Sequence, residues 1–407
     1  MSYESALRER ALAVIPGGMY GHQSIHYLTP EYPQFFAKAS GTRLWSADGQ
    51  EIIDFLAGYG TNMFGYCEPN IDAAARDQAA LGDTMTGPSP LIVDLAEKLV
   101  SMVSHAAWAI FCKNGTDATS IAMVCARAHT KRKKILIATG AYHGAAPWCV
   151  PSTAGITPED RSNNVYFDYN SVESLEAAFK AHAGEVAAVF ATPFKHDVYA
   201  DQTLPDVDYA KAARRLCDEH DALLIVDEVR TGLRVARGSS WDALGVQPDL
   251  SAWGKAIGNG YPISALLGSE KVRSAATEIF VTGSYWYSAV PMAAALRTLD
   301  LAQTTDYLQR TIRLGDLFRA GIQEQADRFG IGVRQTGPSQ MPQILFEGDP
   351  EAKKGYIWTS EAIKRGVFLH PFHNMFINAA MTDGDIHQAL EGTEAAFKSL
   401  LELPIVA

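Results

Sequence analysis

The sequence predicts an α/β fold with a mainly parallel central sheet, helices on both faces of that sheet, and a smaller α+β domain. Short apolar runs alternate with helical patterns from about residue 90 onward. These runs have turn residues at their ends, as expected of strands that are covered on both faces. The length of 407 residues exceeds what one small core needs, which favours more than one domain.

The predicted elements follow in order along the chain. An N-terminal amphipathic helix ends at Pro16, and a strand pair with a turn at Asp48-Gly49 comes next. A helix is predicted over 90–103 and another from Gly115 onward. The predicted strands of the main sheet are 108–111, 135–138, 186–191, 223–226, 250–253 and 263–267.

These elements predict three regions. Residues 1–49 form an N-terminal segment that packs with the small domain, and residues 50–290 form the large α/β domain. Residues 291–407, which open on a long helical pattern, form the small C-terminal α+β domain.

Composition excludes several classes of function. The net charge of −11 at pH 7 argues against nucleic-acid and anionic-membrane partners. The five cysteines are scattered without C-x-x-C spacing, which favours free thiols in a reducing compartment over disulfides or a zinc site. No stretch approaches the roughly 20 apolar residues of a membrane span. We therefore expect a soluble cytoplasmic protein without a metal centre.

Lys255 lies in a glycine-rich loop after an apolar strand, in the segment Trp253-Gly254-Lys255-Ala256-Ile257-Gly258. Its amine can condense with an aldehyde and can later act as a general base if burial lowers its pKa. A surface lysine on a turn is the alternative interpretation of this motif.

Asp227 ends the apolar run 223–226. Ligands of open α/β sheets bind at the carboxyl ends of strands, where a carboxylate can pair with a protonated pyridine nitrogen. The alternative is a helix cap or a structural ion pair.

Gly115 and Thr116 lie between a strand and an amphipathic helix. The first turn of that helix presents N–H groups and the positive end of the helix dipole to a phosphate. Gly115 permits close approach and Thr116 adds a hydroxyl. An ordinary helix N-cap is the alternative.

Tyr142 and His143 follow the predicted strand 135–138. The tyrosine can stack on a flat cofactor ring. The histidine can steer that ring or can be a core histidine whose hydrogen bonds are satisfied, and both interpretations fit the sequence.

The four segments come in the order phosphate site, stacking residue, pyridine partner and lysine, each after an apolar strand. This order resembles the class III aminotransferases, which belong to fold type I of the pyridoxal-phosphate (PLP) enzymes, and the resemblance covers nearly the whole chain. The run 227–234, Asp-Glu-Val-Arg-Thr-Gly-Leu-Arg, is especially similar to the glutamate-1-semialdehyde aminomutases and their aminotransferase relatives.

The resemblance implies pyridoxal 5′-phosphate as the cofactor, bound to Lys255 as a Schiff base, with Asp227 at the pyridinium nitrogen. Val229 would then pack on the ring face opposite Tyr142. The implied cofactor contacts are Gly115, Thr116, Tyr142, His143, Asp227, Val229 and Lys255. The resemblance also implies a homodimer with the active site at the subunit interface, and an amine donor and a 2-oxo acid acceptor as small-molecule partners.

The chain departs from the aminomutase pattern at the substrate. The arginine that follows the N-terminal Pro-Gly-Gly in that pattern, and grips the substrate carboxylate, is absent from 16–24. A buried carboxylate needs a paired cation, so this absence argues against glutamate semialdehyde as the substrate. A family glutamate near the C-terminus is also missing, and His373 is offered in its place.

Two more departures concern the cofactor pocket. The family's Glu-Pro pair is here Thr192-Pro193. Trp286 aligns with the threonine that reaches the phosphate across the dimer in the family. Hydroxyl groups that can replace that threonine are those of Thr282, Ser284 and Ser288.

The segments 191–196 and 280–286 resemble the bacterial aminotransferases that deaminate hydrolysed fumonisin, a long-chain aminopolyol. This resemblance implies an amine donor without an α-carboxylate. Candidates for the wall of an apolar substrate channel are then Tyr20, Tyr59, Tyr285, Trp286 and Tyr287, with core or interface packing as the alternative.

A 2-oxo acid acceptor such as pyruvate still needs a cation for its carboxylate. Arg230 is a candidate because a guanidinium binds a carboxylate through two hydrogen bonds, and Arg234 is its rival. Structural ion pairing is the alternative role. The predicted reaction is transfer of an amino group from a primary amine to a 2-oxo acid. The alternatives are a PLP-dependent aminomutase of the glutamate-1-semialdehyde type and a non-catalytic PLP-binding protein.

Overall fold

The computed structural model describes residues 2–24 and 27–402. The strands are β1 (Phe36–Ser40), β2 (Arg43–Ser46), β3 (Glu51–Asp54), β4 (Trp108–Cys112), β5 (Lys134–Ala138), β6 (Asn164–Phe167), β7 (Val186–Ala191), β8 (Leu223–Asp227), β9 (Leu250–Trp253), β10 (Ser264–Gly268), β11 (Val333–Thr336), β12 (Gln343–Phe346) and β13 (Val367–Phe368). The α-helices are α1 (Tyr3–Val14), α2 (Ala57–Gly60), α3 (Pro69–Leu81), α4 (Leu91–Met102), α5 (Gly115–Thr130), α6 (Pro158–Arg161), α7 (Val172–Ala181), α8 (Val207–Glu219), α9 (Arg273–Glu278), α10 (Ala289–Thr304), α11 (Tyr307–Phe329), α12 (Lys353–Ile363) and α13 (Asp383–Glu402).

Contacts divide the described residues into two compact units. The large unit comprises Pro69–Asp197 and Gln202–Leu308, and the small unit comprises the described residues of Met1–Glu68, Val198–Asp201 and Gln309–Ala407. These divisions differ from the predicted boundaries after residues 49 and 290. The first differs because β3 pairs with β13, which keeps that strand in the small unit. The second differs because α10 packs against α3 and α4 within the large unit.

The large unit is built on a seven-stranded sheet in the order β4-β10-β9-β8-β7-β5-β6. Only β10 runs antiparallel to its neighbours among the paired strands of this sheet. All six predicted strands are present, within one or two residues at each end. The strand β6 was not predicted, because it lies at the sheet edge and carries an exposed tyrosine, Tyr166, that interrupts the apolar pattern.

Helices cover this sheet on both faces. Ile135 and Ile137 of β5 pack into a cluster with α5, whereas Leu136 and Ala138 of the same strand pack into a second cluster with α7 and α8. Successive side chains of a strand point to opposite faces, so continuous apolar runs are what a doubly covered sheet requires.

Strand register brings the carboxyl ends of the parallel strands to one edge of the sheet. Cys112 at the end of β4 is opposite Ser264, Trp253 at the end of β9 is opposite Ala265, and Asp227 is opposite Ala252. The loops that follow β4, β5, β7, β8 and β9 therefore leave from the same edge.

The small unit contains a four-stranded sheet, β1-β2-β3-β13, and the two-stranded sheet β11-β12. The predicted strand pair is present as β2 and β3, with Leu44 opposite Ile52. Its core includes Phe55, Phe318 and Trp358. None of the helices in 2–24 and 27–402 has the length and apolar character needed to cross a lipid bilayer.

Candidate active site

Asp227, at the end of β8, is held by two hydrogen bonds. Its Oδ1 accepts from the backbone N–H of Val229 at 3.0 Å, and its Oδ2 lies 2.8 Å from Nδ1 of His143. Both side chains are buried. The His143 ring packs beside Phe190, with ring centroids 4.5 Å apart, which fixes the imidazole in turn. The carboxylate is therefore held in one orientation, and His143 is the residue that positions it.

Lys255, directly after β9, has a left-handed backbone with φ of 46°. Such a conformation costs on the order of 1–3 kcal/mol in a residue with a side chain, and it is found preferentially at functional sites. Burial and the cation of Arg230 lower the pKa of the Lys255 amine to about 7, against the opposing charge of Asp227. A large share of this amine is thus uncharged near neutral pH, and the uncharged amine is the form that attacks an aldehyde.

The start of α5 offers donors to an anion. This helix of 16 residues begins at Gly115, and the N–H groups of a first helical turn have no partner within the helix. A side chain at Gly115 would put its Cβ 2.6 Å from Val229, so the glycine allows this close packing. Oγ1 of Thr116 accepts from the backbone N–H of Ala145 at 3.1 Å, which fixes the hydroxyl and leaves its own O–H to donate.

Tyr142 lies in the same group of residues. Burial raises the pKa of its phenol, while the nearby Arg230 cation lowers it and Asp227 adds to the rise. The structure therefore brings the predicted stacking residue within electrostatic reach of the predicted pyridine partner. Val229, predicted for the opposite ring face, is adjacent to Asp227 through its backbone N–H.

The two candidate arginines have different surroundings. Arg230 is partly buried. Burial lowers the pKa of its guanidinium to about 10, and the nearby Tyr142, Asp227 and Asp197 act in the opposite direction. Arg234 is only 3% exposed, and the neighbour that acts on its charge is Tyr307. Both guanidiniums act on the charge of Lys255, Arg230 more strongly than Arg234, and Arg230 is the one that remains partly accessible.

The loop after β7 contains Asp197, which the sequence analysis did not select, beside the segment 191–196, for which it proposed no site role. The Lys195 Nζ lies 3.4 Å from Asp197 Oδ2, and the Arg230 guanidinium donates to the His196 carbonyl at 3.5 Å. His196 is buried, and its Nε2 lies 3.2 Å from the Thr192 hydroxyl. This loop follows an apolar strand and leaves the same edge of the sheet as the other motifs. That position in the sequence was the signal that could have identified the loop as part of the site.

Trp286 belongs to the large unit. Its side chain packs against the cluster around β4 and α5, and its indole folds over Gly283. Of the three hydroxyl candidates, Ser288 is buried and bonds to Thr84 at 2.9 Å. Thr282 and Ser284 are exposed.

Tyr20 and Tyr59 belong to the small unit. Tyr20 is 74% exposed. Tyr59 stacks on His22, with ring centroids 4.8 Å apart, and its hydroxyl accepts from Gln23 Nε2 at 3.1 Å. The ring of His373 lies edge-on to that of Tyr59, with ring centroids 5.6 Å apart. His22 and His373 both belong to segments that depart from the aminomutase pattern, and they share one aromatic cluster with Tyr59.

The residues at the sheet edge fit a phosphorylated pyridine aldehyde. An amine with a pKa of about 7 suits the aldehyde, a carboxylate fixed by two hydrogen bonds suits a protonated ring nitrogen, and a helix N-terminus with a fixed threonine suits a phosphate.

Comparison with known proteins identifies the family of this chain. The family model described as aminotransferase class-III matches residues 27–397. The chain belongs to the class III aminotransferases. It is a PLP-dependent enzyme of this family, and pyridoxal 5′-phosphate is its cofactor, as predicted.

Two curated relatives show where this class III aminotransferase lies within the family. It is 58% identical over 395 residues to the aminopentol aminotransferase of Sphingopyxis macrogoltabida, covering 97% of this chain and 94% of the relative. It is 31% identical over 425 residues to a glutamate-1-semialdehyde 2,1-aminomutase of Methanothrix thermoacetophila, covering 98% of this chain and 96% of the relative. The resemblance to both groups is thereby confirmed.

A solved structure confirms the fold of this class III aminotransferase. The PLP internal aldimine form of the FumI protein of Sphingopyxis sp. MTA144 is 57% identical and superposes with a TM-score of 0.97, covering 98% of this chain and 96% of that one. The predicted fold, PLP fold type I with a mainly parallel sheet, helices on both faces and a smaller domain, is confirmed.

Proposed function

We propose that this aminotransferase moves the amino group of a long-chain polyhydroxylated primary amine, of the aminopentol kind, to a 2-oxo acid, with pyruvate as the acceptor. The observation that carries the donor is the 58% identity to an aminopentol aminotransferase along 97% of the chain. The absence of an arginine from 16–24 agrees with a donor that has no α-carboxylate.

The residues at the sheet edge divide the chemistry between them. When bound, the cofactor supplies an aldehyde for the amine and a ring that accepts electrons from the reacting carbon. Lys255 carries the cofactor, and once released it moves a proton at the amine-bearing carbon as a general base. Asp227 keeps the ring nitrogen protonated, because its carboxylate is fixed by Val229 N–H and His143.

The remaining contacts hold the cofactor in place. Gly115 and Thr116 bind the phosphate at the start of α5, and Tyr142 and Val229 pack on the two ring faces. This assignment rests on the arrangement of these residues around Asp227.

Arg230 binds the acceptor carboxylate in this proposal. Its guanidinium is partly accessible and lies close enough to Lys255 to lower the pKa of that amine. Arg234 is buried at 3% exposure and serves the packing of the loop.

The proposed assembly is a homodimer. Phe280 is 92% exposed and Tyr285 is 66% exposed, close in sequence to a groove that is lined by Val93, Phe111 and Trp286. Exposed large apolar side chains that neighbour the lining of an apolar groove support an interface at this surface. The cytoplasmic location stays a prediction from the cysteine pattern.

The experiment that tests this function is alanine formation from pyruvate with hydrolysed fumonisin as the amine donor. We expect alanine only when both compounds and the enzyme are present. Lys255→Ala should abolish it, whereas Lys133→Ala, at an exposed lysine, should not change it. If the amine bleaches the bound cofactor but no alanine forms, pyruvate is excluded as the acceptor and the amine is supported as the donor. Rearrangement of the amine without any acceptor would indicate an aminomutase instead.

A further inference from the structure

The indole of Trp253 is bonded to its own strand, two residues before Lys255. Its N–H donates to Oγ of Ser251 at 2.7 Å, and both residues belong to β9. Residues two apart in a strand point to the same face of the sheet. Ala252 packs into the cluster with α5, so the serine and the indole lie on the opposite face. The hydrogen bond fixes the orientation of the ring on that face.

The same indole lies against the loop that follows β8. A Cβ at Gly232 would lie 2.6 Å from Cε3 of the Trp253 ring, so the backbone of this loop lies directly on the indole. The loop is also bonded to β9, because the N–H of Glu228 donates to the Ala252 carbonyl at 2.8 Å. Arg230 lies between these two points of attachment. One aromatic side chain of β9 therefore contacts the loop that carries this arginine.

A buried histidine extends the hydrogen bond of the indole. Nε2 of His105 lies 2.9 Å from Oγ of Ser251, and the histidine, the serine and Trp253 are at most 8% exposed. Burial lowers the pKa of His105 to about 4, so its ring is neutral near pH 7 and can accept from the serine O–H. Its Nδ1 is buried and has no hydrogen-bond partner within 2–24 and 27–402. An unpaired buried polar atom destabilises a fold, so packing alone does not explain a histidine here.

The loop on the indole carries two cations that act on Lys255. Burial is the main cause of the lowered pKa of this amine, Arg230 and Arg234 lower it further, and Asp227 acts in the opposite direction. Both arginines belong to the loop, whereas Asp227 ends β8. Because the interaction of charges depends on their separation, the distance between this loop and β9 sets how strongly the arginines act on the amine.

We propose that Trp253 is a positioning residue whose indole keeps the loop of Arg230 at a fixed distance from Lys255. Ser251 and His105 orient the indole through their hydrogen bonds. This inference rests on the proposed role of Lys255 as the residue that carries the cofactor, and it is independent of which amine is the donor and which acid is the acceptor.

The test is the pH dependence of covalent PLP binding by the full-length apoprotein, followed by visible absorbance. Trp253→Phe keeps an aromatic ring but removes the N–H, and Ser251→Ala removes the acceptor of that N–H. Each should move the midpoint upward from about 7 by roughly 0.3–0.5 pH unit, because Arg230 then acts less strongly on Lys255. Ser251→Thr, which keeps a hydroxyl, should recover most of this shift.

Two combined variants test whether the effect passes through the hydrogen bond and the loop. Trp253→Phe together with Ser251→Ala should shift the midpoint no further than either change alone, because both remove the same hydrogen bond. In an Arg230→Gln background the shift caused by Trp253→Phe should fall to less than about half, because the cation with the stronger action is gone.

Trp108→Phe is the matched control for the loss of a buried indole hydrogen bond. The indole of Trp108, on β4 of the same sheet, donates to the Ser269 carbonyl at 2.9 Å and also packs against a glycine, Gly268. This variant should lower the melting temperature, as Trp253→Phe does, but leave the midpoint of PLP binding unchanged.

Three outcomes would overturn the proposal. They are an unchanged or lower midpoint in Trp253→Phe, an equal upward shift in Trp108→Phe, and an undiminished shift in the Arg230→Gln background. Ser251→Ala carries the same test if Trp253→Phe does not fold. Lys255→Ala separates this failure from failure of the proposed function. If that variant still binds PLP covalently, the role of Lys255 is wrong, whereas loss of covalent binding there with no shift in Trp253→Phe rejects the positioning role alone.

Discussion

Asp227 is the last residue of β8 and Asp197 lies in the loop that follows the neighbouring strand β7, yet the two carboxylates are held in different ways. Asp227 accepts from a backbone N–H at 3.0 Å and lies 2.8 Å from a buried imidazole. The Asp197 carboxylate lies 3.4 Å from the amine of Lys195, and both side chains are partly exposed. Hydrogen bonds to a buried charge contribute about 1.5–3 kcal/mol, and exposed ion pairs about 0–1 kcal/mol.

This difference matches the positions of the two carboxylates. A carboxylate that pairs with the cofactor ring has to stay in one place through both halves of the reaction. Asp197 carries no such requirement, and its partner is a partly exposed lysine.

The largest expected effect separates the two carboxylates. Asp227→Asn should lower kcat by on the order of 10²–10³, since it removes a fixed charge from the electron-accepting ring. Asp197→Asn should leave kcat for the amine within about three-fold, because its ion pair with Lys195 is partly exposed and contributes little. Steady-state kinetics with both substrates at saturation measures kcat of the two variants, and Asp218→Asn, at an exposed site of α8, is the control. Equal losses of kcat in Asp227→Asn and Asp197→Asn would contradict the different roles of the two carboxylates.

An intermediate effect is expected at the residue that positions Asp227. His143→Leu removes the 2.8 Å contact and should lower kcat by roughly 10–100-fold. His143→Asn, which keeps a donor, should recover part of that loss. His387→Leu, at an exposed site of α13, is the matched control. A structural role alone would lower the melting temperature of His143→Leu without any recovery of kcat in His143→Asn.

The smallest effect concerns the charge of Lys255. Its amine has a pKa of about 7 because of burial and the Arg230 cation, so the rate at which apoprotein binds PLP covalently should rise with pH and level off above about 7. Arg230→Gln removes a positive charge and should move this midpoint upward, by less than about one pH unit. Stopped-flow absorbance measures the rate, with Arg215→Gln as an exposed control. A midpoint that stays the same or falls in Arg230→Gln would contradict the proximity of the two side chains.

Sequence motifs are sufficient to predict the positions of the residues at or directly after the strand ends. Lys255, Asp227 and the start of α5 were predicted at the edge of the sheet where the structure places them. Their positions follow from apolar runs that alternate with helices, which is local information. The family resemblance then implied their order and their cofactor, and comparison with known proteins confirmed both the family and the cofactor.

Other features depend on contacts between distant parts of the chain. Asp197 carries no motif, and its position beside Gly140 comes from the packing of its loop. The first division between the units depends on pairing between β3 and β13, which are more than 300 residues apart in the chain, a separation that no local pattern reports.

The most direct test of amino-group transfer is a single half-reaction in which the products are quantified per active site. Holoenzyme mixed with hydrolysed fumonisin and no acceptor should lose the visible absorbance of its cofactor and release about one ketone per active site. Pyruvate added afterwards should restore that absorbance and yield an equal amount of alanine. Continuous conversion of the amine without pyruvate, or retention of its nitrogen in a rearranged product, would contradict transfer to a 2-oxo acid through Lys255.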